Sequence, residues 1–247
     1  FGGEACPEVI VELVRSGQVS EARIDVSVRR LLRDKFRLGL FDHPFVDPDA
    51  AERIVGNERF RAAGALAQRK SIVLLKNGGG GSPILPLRGR SRIYVENMAA
   101  DVVAEYGERV SDPGEADVAI LRLQAPYEPR EGALEPLFHA GDLRFPPDEL
   151  ARILAILEQV PTIVDIYLER PAVIPEIAGR CAALLADFGA SDAAVLDVIC
   201  GRFAPTGKLP FELPSSMEAV RRQKEDPVSY THLRAHETPE HLVCRLL

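Results

Sequence analysis

Tryptophan is absent from the sequence and there are only five tyrosines, so the flat aromatic platforms on which nucleic-acid bases stack are scarce. Basic charge is also in short supply. Thirty Lys and Arg stand against 37 Asp and Glu, a net charge of −7, which argues against a phosphate backbone or an anionic membrane as main partner. No apolar run approaches the roughly 20 residues that cross a bilayer. The four cysteines, Cys6, Cys181, Cys200 and Cys244, show no short paired spacing, so neither a zinc cluster nor a dense disulfide framework is supported. Free, partly buried thiols are expected instead. An initiating methionine and a secretory signal pattern are missing too. Phe1-Gly2-Gly3-Glu4 reads as the interior of a longer protein, with any targeting signal expected upstream, and no compartment is assigned.

What is present is a globular composition. Of 247 residues, 46% are apolar, enough for one large domain or a domain plus a smaller piece. Residues 6–41 read as helices: Val9, Val11, Leu13 and Val14 cluster, and Ile24, Val28, Leu31 and Leu32 recur at helical spacing. Asp25 and Ser27 are placed near the start of the second helix and Lys35 and Arg37 near its end, with Gly39 as C-cap. An extended connector follows over 43–48, where Pro44 and Pro48 bias against helix. Beyond it, short apolar runs alternate with amphipathic segments. Strands are expected at 71–76, 92–95, 117–123, 162–168 and 182–187, and helices at 59–68, 99–106, 147–159, 172–179 and 191–200. This alternation predicts right-handed crossovers and an α/β fold, a mainly parallel sheet sandwiched by helices. The unbroken apolar character of Val118-Ala119-Ile120-Leu121 fits a strand buried on both faces.

Ligands of such sheets bind beyond the carboxyl ends of the strands. Three places qualify: the loop 124–145, Glu169-Arg170, and 189–192 before the last long helix. The first is long for a connection in a compact domain, and it holds Tyr127, Glu128, Arg130, Glu131, Glu135, His139, Asp142 and Arg144. Carboxylates, a histidine, a tyrosine and arginines at a strand end suit a polar ligand such as a sugar, with one acid to protonate a leaving oxygen. The competing interpretation is a solvated loop whose charges face water.

Other signals are weaker. The glycine run 78–81 lacks both dinucleotide and P-loop spacing and is read as a mobile turn, and Gly207-Lys208 lacks the following Ser or Thr of a phosphate loop. These gaps disfavour a nucleotide-binding protein. Gly189-Ala190-Ser191 lacks the second glycine of a nucleophile elbow, so Ser191 is expected to cap a helix. In the tail, His232, His236 and His241 are concentrated, but His241 falls one place too late for H-E-x-x-H and Pro239 breaks the helix, so no metal site is assigned. The stretch 228–247 resembles translated sequencing-adaptor read-through and is expected to be foreign and disordered.

The run Ala67-Gln68-Arg69-Lys70-Ser71-Ile72-Val73-Leu74-Leu75-Lys76-Asn77, with Ile84-Leu85-Pro86-Leu87, resembles the start of the second domain of family 3 glycoside hydrolases. So do Gly39-Leu40-Phe41, Ala125-Pro126-Tyr127-Glu128, Glu169-Arg170-Pro171-Ala172-Val173 and Pro205-Thr206-Gly207-Lys208-Leu209-Pro210-Phe211. The resemblance covers roughly residues 1–226. It implies a TIM-type barrel followed by a six-stranded α/β sandwich, with the active site between them. It also implies a retaining β-glucosidase-like mechanism in which a barrel Asp attacks the anomeric carbon and a sandwich Glu serves as acid and then base. The Asp motif has no match in this sequence, so the nucleophile belongs to a missing N-terminal barrel. The acid falls on Glu128, with Glu131 as alternative because this loop varies in length. Tyr127, Arg130 and His139 are the implied substrate-binding residues, the partner is a carbohydrate, and no cofactor is implied. The expected layout is 1–41 as the helical end of the barrel domain, 42–56 as connector, 57–227 as sandwich and 228–247 as foreign tail. The chain alone is expected to be inactive. A carbohydrate-binding α/β module without chemistry is the alternative.

Overall fold

A computed structural model describes residues 6–78, 82–222 and 232–233. The chain divides into two compact units, Phe1–Phe60 and Arg61–Leu247. The readings made for 1–4, for most of the 78–81 glycine run and for nearly all of the 228–247 tail lie outside the described residues. Of the tail, only His232–Leu233 is described, and it pairs antiparallel with Leu213–Pro214.

The first unit contains α1 (Pro7–Arg15), α2 (Glu21–Arg37) and α3 (Pro48–Ile54). Helix α2 begins a turn earlier than Asp25 and Ser27 suggest, because the Ser20 side chain accepts a hydrogen bond from the Arg23 amide and caps it. It ends at Gly39, whose φ of +69° lets the Leu40 amide donate back to Lys35 O and the Gly39 amide to Phe36 O. The extended connector stops at Asp47. Its carboxylate accepts from the Asp49 and Ala50 amides, and Pro48 then opens α3 at the first helical position, where a missing donor costs nothing. The three helices contain no buried residue; Leu31 is 61% and Phe36 65% exposed.

Helix α4 (Glu58–Ser71) leads into the sheet of the second unit. Six strands, β1 (Val73–Asn77), β2 (Arg92–Glu96), β3 (Glu108–Val110), β4 (Val118–Gln124), β5 (Thr162–Tyr167) and β6 (Ala183–Asp187), lie in the order β1-β6-β5-β4-β2-β3. All neighbours are parallel except β1, which runs antiparallel to β6. The sheet is the mainly parallel, helix-covered α/β sheet expected. Strand β3 was not foreseen: it is three residues, Glu108-Arg109-Val110, mostly exposed on the sheet edge, and so has no apolar run to announce it.

Each face has its own core. Ala119, Leu121, Val164 and Ile166 pack with Ile153 of α6 (Pro147–Gln159) and Ile177 of α7 (Pro175–Arg180). Ile120, Ile163 and Leu185 pack on the other side with Val103 of α5 (Ala100–Ala104) and Leu196 of α8 (Asp192–Ile199). Each Val, Leu or Ile among them contributes about 1.5–3 kcal/mol on burial. Helix α7 starts three residues later than expected, at Pro175, because 172–174 run alongside the long loop, where the Val173 amide donates to Leu143 O at 2.9 Å. Ser191 caps α8 as expected, its hydroxyl accepting from the Ala194 amide.

Candidate active site

The carboxyl ends of β4, β5 and β6 open on one edge of the sheet, and the loop 125–145 leaves from β4 there. Its two arms meet at one antiparallel bridge, in which the Glu128 amide donates to Ala140 O at 2.9 Å. The Glu128 carboxylate folds over the return arm and accepts from the Asp142 amide at 3.1 Å. It lies directly against Gly141, whose φ is +89° and where a Cβ would collide with the Glu128 side chain.

The return arm is tied in turn to the segment after β5. Arg170 Nη2 donates to Gly141 O at 2.8 Å. His139 Nδ1 hydrogen-bonds Glu169, which also accepts from Gln124 Nε2 at 2.9 Å. Burial pushes the Glu169 carboxyl up, but the bonds from His139 and Gln124 outweigh it and hold the group below the usual carboxylate range. The His139 ring stacks on Tyr127 with centroids 3.7 Å apart and planes at 9°.

Tyr127 and Glu128 line a cavity of about 500 Å³ with Asp142, Arg144, Phe145 and Glu176. Arg144 forks onto Asp142 through bonds of 2.6 to 3.2 Å, which with burial opposing them keep the Asp142 carboxyl down at about 2. Five of the loop residues singled out in the sequence therefore sit together: Tyr127 and Glu128 on the outgoing arm, His139, Asp142 and Arg144 on the returning one. Arg130 and Glu131 are exposed and do not line the cavity. Glu135 turns back on its own backbone, accepting from the Leu134 amide at 3.1 Å, and backbone bonds lower its carboxyl.

A second polar cluster was not foreseen. Arg122 on β4 reaches Asp165 on β5 at 3.0 Å, Asp187 on β6 at 3.2 Å and Asp192 at the start of α8 at 2.6 Å. The alternation that buries Ile120, Ile163 and Leu185 puts Arg122, Asp165 and Asp187 two residues on, on the same face. Asp187 also accepts from the Gly189 and Ala190 amides, both at 2.7 Å. Asp165 is fully buried, with Oδ1 unpartnered; burial and the neighbouring Asp187 push its carboxyl up to about 8 against the pull of Arg122. The available signal was a charge inside each apolar run, Leu121-Arg122-Leu123 and Val164-Asp165-Ile166. No helix among the described residues is long and apolar enough to cross a membrane.

The family described as glycosyl hydrolase family 3 C-terminal domain matches residues 96–241. The chain is 54% identical over 227 residues to the probable beta-glucosidase C of Aspergillus flavus, covering 92% of this chain and 36% of that protein. It is 39% identical to the periplasmic beta-glucosidase/beta-xylosidase of Dickeya chrysanthemi, covering 92% of this chain and 35% of that protein. It thus spans about a third of the length of these relatives. Among solved structures, the beta-glucosidase from Listeria innocua in complex with glucose superposes with a TM-score of 0.63 at 21% identity, covering 83% of this chain and 34% of that one, a likeness of fold. With the parallel sheet and the loop beyond β4, these matches place the chain in glycoside hydrolase family 3, as its C-terminal domain.

Proposed function

We propose that this chain supplies the acid/base carboxyl of a retaining glycosidase acting on β-glucosides or related β-glycosides, and that the carboxyl is Glu128. The nucleophile is an Asp on an N-terminal barrel domain of the same protein, and the active site forms between the two. The protonated Glu128 gives its proton to the glycosidic oxygen as the C–O bond breaks and the nucleophile carboxylate closes an ester with the anomeric carbon. Glu128, now ionised, takes a proton from water as that water attacks the same carbon and the ester bond breaks. Retention requires the two carboxyls to stand about 5 Å apart.

The observation that carries this reading is the fixing of Glu128 in the lining of the cavity, with its amide on Ala140, its carboxylate on the Asp142 amide and a glycine against it. Tyr127 and His139 form a stacked surface next to it that suits the face of a sugar ring. The relatives named as beta-glucosidases support the reaction class. The apolar side chains left exposed on α1 and α2, among them Val9, Leu31 and Phe36, support a further domain that covers them. Arg130 and Glu131 remain available to a substrate that approaches from the exposed side of the loop.

The test joins the chain to the barrel domain of a beta-glucosidase C. The fusion is expected to release nitrophenol from aryl β-glucosides, whereas the chain alone does not. Glu128→Ala is expected to slow the fusion about 10²- to 10⁴-fold, with azide restoring turnover. An unaffected Glu128→Ala and a dead Glu131→Ala would move the role to Glu131. Sugar binding by the isolated chain, with an inactive fusion, would favour a binding module.

A further inference from the structure

The loop that carries Glu128 is long, and its tip is poorly packed: Leu137 is 74% and Phe138 63% exposed. Such a segment does not hold a carboxylate in place by itself, since each residue without packing or bonds keeps its backbone freedom. The described contacts that fix Glu128 all come from residues 139–142, which give it Ala140 O, the Asp142 amide and, through His139, a stacked partner for neighbouring Tyr127. Residues 139–142 are fixed in turn by two side chains from the turn after β5. Glu169 holds His139, and Arg170 holds the carbonyl of Gly141, the residue on which the Glu128 carboxylate rests. Gln124, the last residue of β4, donates to the same Glu169 oxygen, which ties that anchor to the sheet.

Arg170 supplies an independent sign of constraint. Its Nη1 is buried and has no hydrogen-bond partner among the described atoms. A buried donor left unsatisfied is costly, and such a group in a native fold calls for an explanation. The position that buries Nη1 is the one that lets Nη2 reach Gly141 O. We infer that Glu169 and Arg170 are positioning residues: they set the location of the acid by clamping the return arm of its loop against the end of β5, without touching Glu128. The inference rests on Glu128 being the acid.

Two measurements separate this inference from the reading beneath it. Hydrogen exchange on the full chain reports the clamp alone. In Glu169→Ala and Arg170→Ala, the Glu128 and Asp142 amides are expected to exchange at least about tenfold faster, while amides of β4, β5 and β6 keep their protection as the control for folding. Glu169→Gln, which retains shape and one acceptor, serves if the alanine variant does not fold, and is expected to show a smaller change of the same sign. The barrel fusion then reports the consequence for chemistry. A displacement of the acid near 1 Å costs about 10²-fold, so kcat/KM for an alkyl β-glucoside, whose leaving group needs a proton, is expected to fall by about that factor. The kcat/KM for dinitrophenyl β-glucoside, which reports only the first step and whose leaving group needs no proton, is expected to change less than about threefold, although its kcat falls because the second step still needs the base. Unchanged exchange at Glu128 and Asp142 overturns the clamp, and so does an equal loss of kcat/KM on both substrates. A Glu128→Ala fusion at full activity on the alkyl glucoside overturns the acid assignment instead.

Discussion

The Glu128 carboxyl occupies the space that any side chain on residue 141 would need. Gly141 adopts φ +89°, and a Cβ there would fall within contact distance of the Glu128 Cγ, Cδ and Oε2 atoms. Gly141→Ala therefore strains the backbone, by about 1–2 kcal/mol for a residue forced into the left-handed region, and evicts the carboxylate. Loss of stability in a urea melt followed by circular dichroism is expected to stay near that value. Activity of the barrel fusion is expected to fall by at least about tenfold, because a displaced acid loses its near-attack geometry. A fusion that keeps full activity would separate Glu128 from catalysis.

Asp165 makes a pH-dependent contribution of unusual sign for a carboxylate. Its carboxyl is raised to about 8 in the folded protein from an ordinary value of 3.8. Between those limits the folded state keeps a proton that the unfolded chain has released, so this residue lowers stability progressively as pH rises through the window. Asp165→Asn removes the titration, and the stability of the variant relative to the parent is expected to climb between about pH 4 and 8. Urea melts at several pH values check this, and a constant difference would contradict it. Arg122→Ala leaves the buried Asp187 without its ion-pair partner and is expected to cost about 3–5 kcal/mol at neutral pH.

Gly207 has a packing role that its Gly-Lys setting conceals. Its amide donates to Ile72 O at 3.1 Å, and a Cβ would stand 2.6 Å from that oxygen and closer still to Ser71 O. Backbone cannot yield as a flexible side chain can, so Gly207→Ala is expected to cost roughly 1–3 kcal/mol. The shift should appear in a thermal melt, with exchange rising first at Val73 and its neighbours in β1.

The described thiols are expected to react in the order of their exposure. Cys6 is exposed, Cys200 half-buried and Cys181 buried, and burial pushes the Cys181 thiol up to about 11, which suppresses the thiolate. Alkylation mapped by mass spectrometry on native protein should mark Cys6 at once and Cys181 only as the chain unfolds. Early labelling of Cys181 would show that the α7–β6 corner opens locally.

Much of the fold was legible because local rules and burial agree. Helix α6 was placed at its observed bounds by Pro147 at its start and a strong apolar stripe, and β4 and β5 showed themselves as apolar runs. The misreadings have physical causes. Strand β3 is an exposed edge with charged residues, α3 depends on the Asp47 cap, and α7 begins late because Val173 bonds to Leu143, a contact 30 residues back along the chain. At the site, residue types and strand-end position picked out the loop 124–145 as a whole, and the family resemblance pointed within it to Tyr127, Glu128, Arg130, Glu131 and His139, whereas Arg122 and Asp165 passed unnoticed as charges in apolar strands.

The sequence by itself determined the alternation of strands and helices, the family, and which loop carries the polar groups, because these depend on local period, motif and composition. Only the tertiary structure decided which of those groups meet. Glu128 finds Gly141 and Asp142 through a bridge across 12 residues, and Glu169 finds His139 through the pairing of β4 with β5. Contacts of that kind depend on strand register and on the path of a loop, which no local pattern encodes.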